Sequence, residues 1–190
     1  LVKLSALKIS ESDSSEAAML LKALSDFERI GDHALNILES AEELKGKNLA
    51  LSDAARHELN VLLRAVEEIV DMTFRAFRDD DLEKAYRVEP LEQVIDILVE
   101  RLRAQHIKRL KDGACSIDTG VVYLDVLSNV ERISDHCSNI AARLVGMEAG
   151  EDYDSHTLKN MMHHNPTKEY MLNYEQCRKD YLVPLEQLEA

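Results

Sequence analysis

Apolar residues recur along this chain at the three-to-four spacing of amphipathic helices, and no segment alternates apolar and polar residues over a strand's length. The pattern predicts an all-α fold, an antiparallel bundle of long helices. The first helix is expected from Asp13, where Glu16 completes a capping box, with Leu20, Leu24, Phe27, Ile30, Ala34, Ile37 and Ala41 on one stripe. Lys45-Gly46-Lys47-Asn48 ends it. The second starts near Ser52 and carries Leu59, Leu62, Leu63, Val66, Val70, Phe74 and Phe77. Asp80 and Glu83 form a further capping box for a third helix bearing Leu91, Val94, Ile95, Leu98 and Leu102, with Pro90 as a kink site and Gly113 as its C-terminal cap. The fourth starts near Asp118, runs through Val122, Val126, Val130, Ile133, Cys137, Ile140 and Leu144, and is closed by Gly146 and Gly150. Residues 1–148 thus form the bundle and residues 149–166 a polar linker. Residues 167–190 form a C-terminal amphipathic helix that packs on the bundle through Tyr170, Tyr174, Cys177 and Tyr181 and ends at Pro184.

Composition supports this picture. Hydrophobic residues make up 45% and charged residues 31% of the 190, so a core can form; with 6 Gly and 3 Pro there are few turns, and without Trp the core must be aliphatic. The formal charge of −13 repels nucleic acid and favours cations as partners. Cys115, Cys137 and Cys177 show no paired spacing, which fits a reducing compartment. No apolar run reaches the roughly 18–20 residues of a membrane span. The chain opens on Leu1-Val2-Lys3-Leu4 rather than Met and is expected to be a piece of a longer polypeptide.

One stretch occurs twice. Asp26 to Ile37 and Asn129 to Ile140 align without gaps, and seven of the twelve positions are identical, each 103 residues from its counterpart. The shared core is Glu-Arg-Ile-x-Asp-His-x-x-Asn-Ile, so one helix type is used twice. At about 100° per residue, Glu28, Asp32 and Asn36 fall within about 80° of each other, away from the stripe of Phe27, Ile30 and Ala34. Glu131, Asp135 and Asn139 repeat this opposite Val130, Ile133 and Cys137. A solvated charged face is the ordinary explanation for such a wheel. Against it, like charges at i, i+4 cost a few tenths of a kcal/mol, neither glutamate has a basic residue at i±3 or i±4, and the neighbours Ser25, Gly31, Ser128, Ser134 and Ser138 are small. Arg29 and Arg132 reach only the aspartates, at i+3.

Glu92 and Asp96, with Glu89 on the same face, form a third carboxylate group lacking a local base; Glu67 and Asp71 are set aside because Arg64 and Arg75 flank them. One helix offers too few oxygens for a metal, so carboxylates must face each other across helices. An all-oxygen set suits magnesium, calcium, manganese or iron better than zinc. His33 and His136 fall on the flank and are expected to be hydrogen-bonders between helices or at the surface rather than ligands.

The double motif resembles the PhoU family. That resemblance implies three-helix repeats, metal clusters on Glu/Asp-x-x-x-Asp pairs, and damping of phosphate uptake or signalling. It places metal ligands at Glu28, Asp32, Glu131 and Asp135, and more weakly at Glu92 and Asp96, holding a divalent or trivalent ion. Leu1 to Ser5, Asp26 to Ala34 and the tail Tyr174 to Leu182 resemble the C-terminal region of bacterial sodium/phosphate cotransporters. This implies an upstream transmembrane transporter domain as partner, a place at the cytoplasmic face of the membrane, and modulation of phosphate uptake without catalysis. The alternative within the family is a free-standing PhoU-type regulator. In this comparison helices two to four make one repeat, while helix one is the last helix of another whose two partners are missing; a homodimer would supply such contacts.

Two other function classes compete with this reading. A carboxylate-bridged di-metal enzyme needs Glu-x-x-His on two helices, and the chain contains none. A plain interaction module would use the tyrosine stripe for docking. No Gly-x-Ser-x-Gly element or Gly-rich phosphate loop is present.

Overall fold

The computed structural model describes residues 10–148, 162, 164 and 166–189. Four long helices form the bundle: α1 (Glu11–Gly46), α2 (Asp53–Asp79), α3 (Leu82–Lys111) and α4 (Ile117–Glu148). A tail of α5 (Lys168–Cys177), a π-helical segment (Arg178–Leu182) and α6 (Val183–Glu189) follows. No strand occurs among the described residues. The expected boundary of the linker at 149–166 and the closing role of Gly150 lie largely outside the described residues.

Local chemistry sets the ends. The start of α1 is earlier than Asp13: Ser10 accepts from the Asp13 amide while Asp13 caps Ser10 in return, so the aspartate serves as the third residue of the box. Between α2 and α3 the three aspartates divide the work. Asp80 takes the left-handed conformation that ends α2 (φ 52°), and Asp81, not Asp80, caps α3 through the Lys84 amide. Gly113, at φ 68°, follows the end of α3 as the sequence indicates. Gly146 does not close α4; it is buried inside it. Pro184 does not end the tail. It falls in the first turn of α6, where a missing N–H costs least, just after the π segment whose end is marked by the Val183 amide bonding the Arg178 carbonyl.

The core is aliphatic, as the composition requires. Leu62, Ile69, Leu91, Ile95, Leu98, Leu102, Leu127 and Ile140 are fully enclosed. Each such side chain contributes about 1.5–3 kcal/mol by leaving water. α4 lies in the middle: α1 runs along one side of it, and α2 and α3 cover the other. The tail lies along α3, burying Tyr170, Tyr181 and Leu182 and tying Tyr181 to Glu68 and Glu186 to Arg101. The tyrosine stripe is therefore used for internal packing.

One end of the bundle carries a buried polar knot. Arg109 donates to Glu58 at 2.7 Å, Tyr123 donates to the other Glu58 oxygen at 3.3 Å, and the guanidinium sits 5.8 Å from the Tyr123 ring centre. His106 packs beside Tyr123 and presses against Gly120, where a Cβ would come within 2.7 Å of its Nε2. Gly120→Ala should therefore destabilise the fold by about 1–3 kcal/mol, measured by urea unfolding, since the ring is enclosed and cannot retreat. Burial, and then the charge of Arg109, hold the His106 pKa below its ordinary 6.5. The folded state thus binds this proton less readily than the unfolded state. Its contribution is complete above pH 6.5 and is lost as the pH falls through and below that value. His106→Gln should flatten that part of the stability–pH curve; an unchanged slope would contradict the assignment.

Candidate functional site

The two copies of the repeated stretch meet. α1 and α4 cross antiparallel, and the contacts between them come in related pairs. His33 Nδ1 lies 2.8 Å from Asn129 Oδ1, and His136 Nδ1 lies 2.7 Å from Asp26 Oδ1. Adding 103 to the first partner of one contact gives a partner of the other: His33 corresponds to His136 and Asp26 to Asn129. The two imidazoles stack between these contacts, centres 5.8 Å apart and planes 21° from parallel. An approximate twofold axis therefore passes between the helices at the histidine pair.

The hydrogen-bond directions follow. The Asn129 amide nitrogen donates to the Asp125 carbonyl, and the Asn36 amide donates to Asn129 Oδ1, so that oxygen accepts and His33 Nδ1 donates. His136 Nδ1 likewise donates to Asp26, which also accepts from Arg143. Asp26 is almost fully buried, and these two donors keep its charge satisfied. Both histidines are thus interhelical hydrogen-bonders, as the wheel indicates. Asp26, Asn129 and Arg143 were not singled out from the sequence. The available signal was an aspartate between Ala23 and Ile30 on the face that enters the core, and a polar residue at the same place in the second copy. Asp26→Ala should lower stability by roughly 3–5 kcal/mol by leaving Arg143 unpaired at the interface. Asp26→Asn should cost less, because the amide oxygen still accepts one of the two bonds; equal losses in thermal unfolding would assign the role to packing alone.

The six carboxylates indicated by the sequence are divided between two places. Glu28 and Asp32 lie exposed on α1. Glu131 and Asp135 were expected to face solvent in the same way but are half-buried against α3, because α4 is enclosed on both sides. Their neighbours Ser134 and Ser138 are fully buried. Arg103 of α3 grips Glu131 at 2.6 Å and also reaches Ser128 at 3.2 Å. A survey of i±3 and i±4 positions cannot find this base, since it stands 28 residues away. Asp135 has the weaker local pairing with Arg132, at 3.6 Å.

Glu92 is buried on α3 and Asp96 half-buried, and the neighbouring Glu89 accepts from the Ser138 hydroxyl. The contacts Arg103–Glu131 and Glu89–Ser138 fix the antiparallel register of α3 on α4. Between them, Asp96 falls level with Ser134 and Asp135. Tyr170 of α5 closes this region; burial first, and then the charges of Glu89 and Glu92, push its phenol well above the ordinary range. Among the described residues, no three His, Cys, Asp or Glu side chains converge closely enough to hold a metal ion. The oxygen-rich character of the α3–α4 interface suits a hard cation, but as it stands Arg103 occupies Glu131.

The PhoU domain family model matches residues 1–41 and 59–144. The chain belongs to the PhoU family. Its helical bundle is the PhoU fold, and the repeated motif lies in both matched segments. The relatives include the phosphate-specific transport system accessory protein PhoU homolog 1 of Thermotoga maritima, 29% identical over 138 residues, covering 70% of this chain and 56% of that protein. The PhoU homolog of Streptococcus pneumoniae serotype 4 is 31% identical over 135 residues, covering 71% of this chain and 61% of that protein. That of Deinococcus radiodurans is 26% identical over 129 residues, covering 67% and 58%. The chain thus spans less than two thirds of the length of these relatives. No solved structure matches the chain. No helix among the described residues is long and apolar enough to cross a membrane.

Proposed function

We propose that this chain is a binding-type regulatory domain of phosphate transport, acting like the PhoU accessory proteins it resembles and performing no chemistry of its own. Its ligand is a divalent or trivalent cation, such as iron, magnesium, manganese or calcium, taken up at the α3–α4 interface. The observation that supports this is the register of that interface: Asp96 of α3 falls level with Asp135 of α4, with Glu92 about a turn to one side and Glu131 about a turn to the other. Arg103 acts as a resident counter-charge that a metal must displace from Glu131. Glu28 and Asp32 are the corresponding pair of the other repeat copy and stand apart from this site.

The displacement sets the test. Metal content and affinity are measured on the purified chain by elemental analysis and calorimetric titration. Arg103→Ala should bind metal about tenfold more tightly, a change of about 1.4 kcal/mol. Glu131→Gln combined with Asp135→Asn should abolish binding. Equal metal content in all three proteins would remove the metal from this reading while leaving the regulatory role open.

A second reading places the chain at the C-terminal side of a sodium/phosphate cotransporter, with an upstream membrane domain as partner. It draws on the tail, where α5, the π segment and α6 continue beyond the last residue matched by the family and fold back onto α2 and α3. The curated relatives favour the PhoU-type accessory protein over this reading.

A further inference from the structure

At one end of the bundle the first turns of α1, the end of α2 and the end of α4 meet around a half-open cleft of about 280 Å³. Its walls are apolar, with Met19 and Leu20 of α1 facing Phe77 of α2 and Met147 of α4. Leu20 and Met147 remain 43% and 42% exposed. Its rim is acidic. Glu16, Asp80 and Glu148 stand around the opening, all exposed and none with an ion pair to a described residue. The bases closest in sequence are already taken, Arg78 by Asp79 and Lys84 by Asp81. α4 carries no base in its last turn, so the negative end of its dipole adds to Glu148 instead of being neutralised. The cleft has room for roughly two ring-sized side chains, since an apolar cavity of about 150 Å³ accepts benzene.

We propose that this cleft docks a basic amphipathic helix of a partner protein. Two apolar side chains of that helix, one turn apart, enter between Met19, Phe77 and Met147, and flanking Lys or Arg residues meet Glu16, Asp80 and Glu148. The acidic rim selects the sign of the partner, and the apolar walls require anchors that leave water with it. The two methionines adapt to anchors of different shape. The other classes of occupant fit less well. An anionic lipid surface or a nucleic acid is repelled by the rim. A second copy of this chain brings the same acids and a net charge of −13. A bare inorganic cation would satisfy the rim and leave the walls in water. The cleft is separate from the α3–α4 interface, so the proposal is independent of the cation reading.

The probe is a fluorescein-labelled peptide of about 14 residues built from Leu and Lys, with the leucines on one helical face. Its binding to the 190-residue chain is followed by fluorescence anisotropy. Glu16→Gln, Asp80→Asn and Glu148→Gln together should weaken binding by roughly tenfold or more. These positions are exposed, and asparagine suits the left-handed backbone of Asp80, so the fold is kept, which circular dichroism checks. The charge-matched variant Glu39→Gln, Glu42→Gln and Glu100→Gln, on exposed acids farther along α1 and α3, should weaken it less than about twofold. In the carbon-13 methyl spectrum, the peptide should move Met19 and Met147 and leave Met72 and Met171 in place. Equal weakening by the two triple variants would reduce the contact to net charge and overturn the proposal. So would a peptide with serine in place of leucine that binds as well, or no binding at about 1 mM peptide. A dimer in sedimentation equilibrium that the cleft variant abolishes would also overturn it, by giving the cleft to a second copy.

Discussion

A single buried carboxylate holds the two halves of the repeat together. Asp26 sits at the crossing of α1 and α4 with His136 on one oxygen and Arg143 on the other. Removed from water without donors, such a group would cost several kcal/mol. Satisfied from the opposite helix, it fixes the register of the crossing, since a shift of one residue along α4 would move both donors out of reach. The related contact between His33 and Asn129 holds the other side of the axis, and the stacked imidazoles fill the space between. The position of every carboxylate in the motif follows from that register.

The same motif plays two parts because its two copies have different surroundings. On α4 it is enclosed by α1 on one side and by α2 and α3 on the other. Its glutamate therefore needs a counter-charge and finds Arg103, and its small residues allow α3 to come close, as the buried Ser134 and Ser138 show. On α1 the motif has a neighbour along one side, its glutamate is solvated, and leucines stand where α4 carries serine and alanine. Closely similar local sequence thus gives a loaded interface in one copy and an open one in the other. The proposed cation site is the one on the enclosed copy, where Asp96 of α3 and Asp135 of α4 share one level.

Much of the fold was legible because it is written in short-range pattern. The four long helices, the caps around Ser52 and Gly113, and the inward direction of Ile30, Ile133 and Cys137 all follow from periodicity and turn chemistry. The errors share one cause. A helical wheel assigns a residue to a face but does not say what lies against it. The wheel correctly separated Glu131 and Asp135 from Ile133, but it could not show that α3 occupies the acidic side. Counting bases at i±3 and i±4 left Glu131 unpaired for the same reason. At the aspartate run the competing roles differed by one residue, and the left-handed conformation of Asp80 decided between them.

The inequality of the two repeat copies also decides which helix marries which. If α1 met another α1 in this manner, two Asp26 carboxylates would enter one interface with serine at position 40 in place of the arginine. If α4 met another α4, two Asn129 amides would face the histidines, and two copies of Arg143 would be left without an acid. Only the mixed pair balances one buried acid with one buried guanidinium. A duplicated helix that could have promoted indiscriminate self-association instead carries, in a single Asp/Asn difference and its arginine, a rule that admits its sister and rejects its twin.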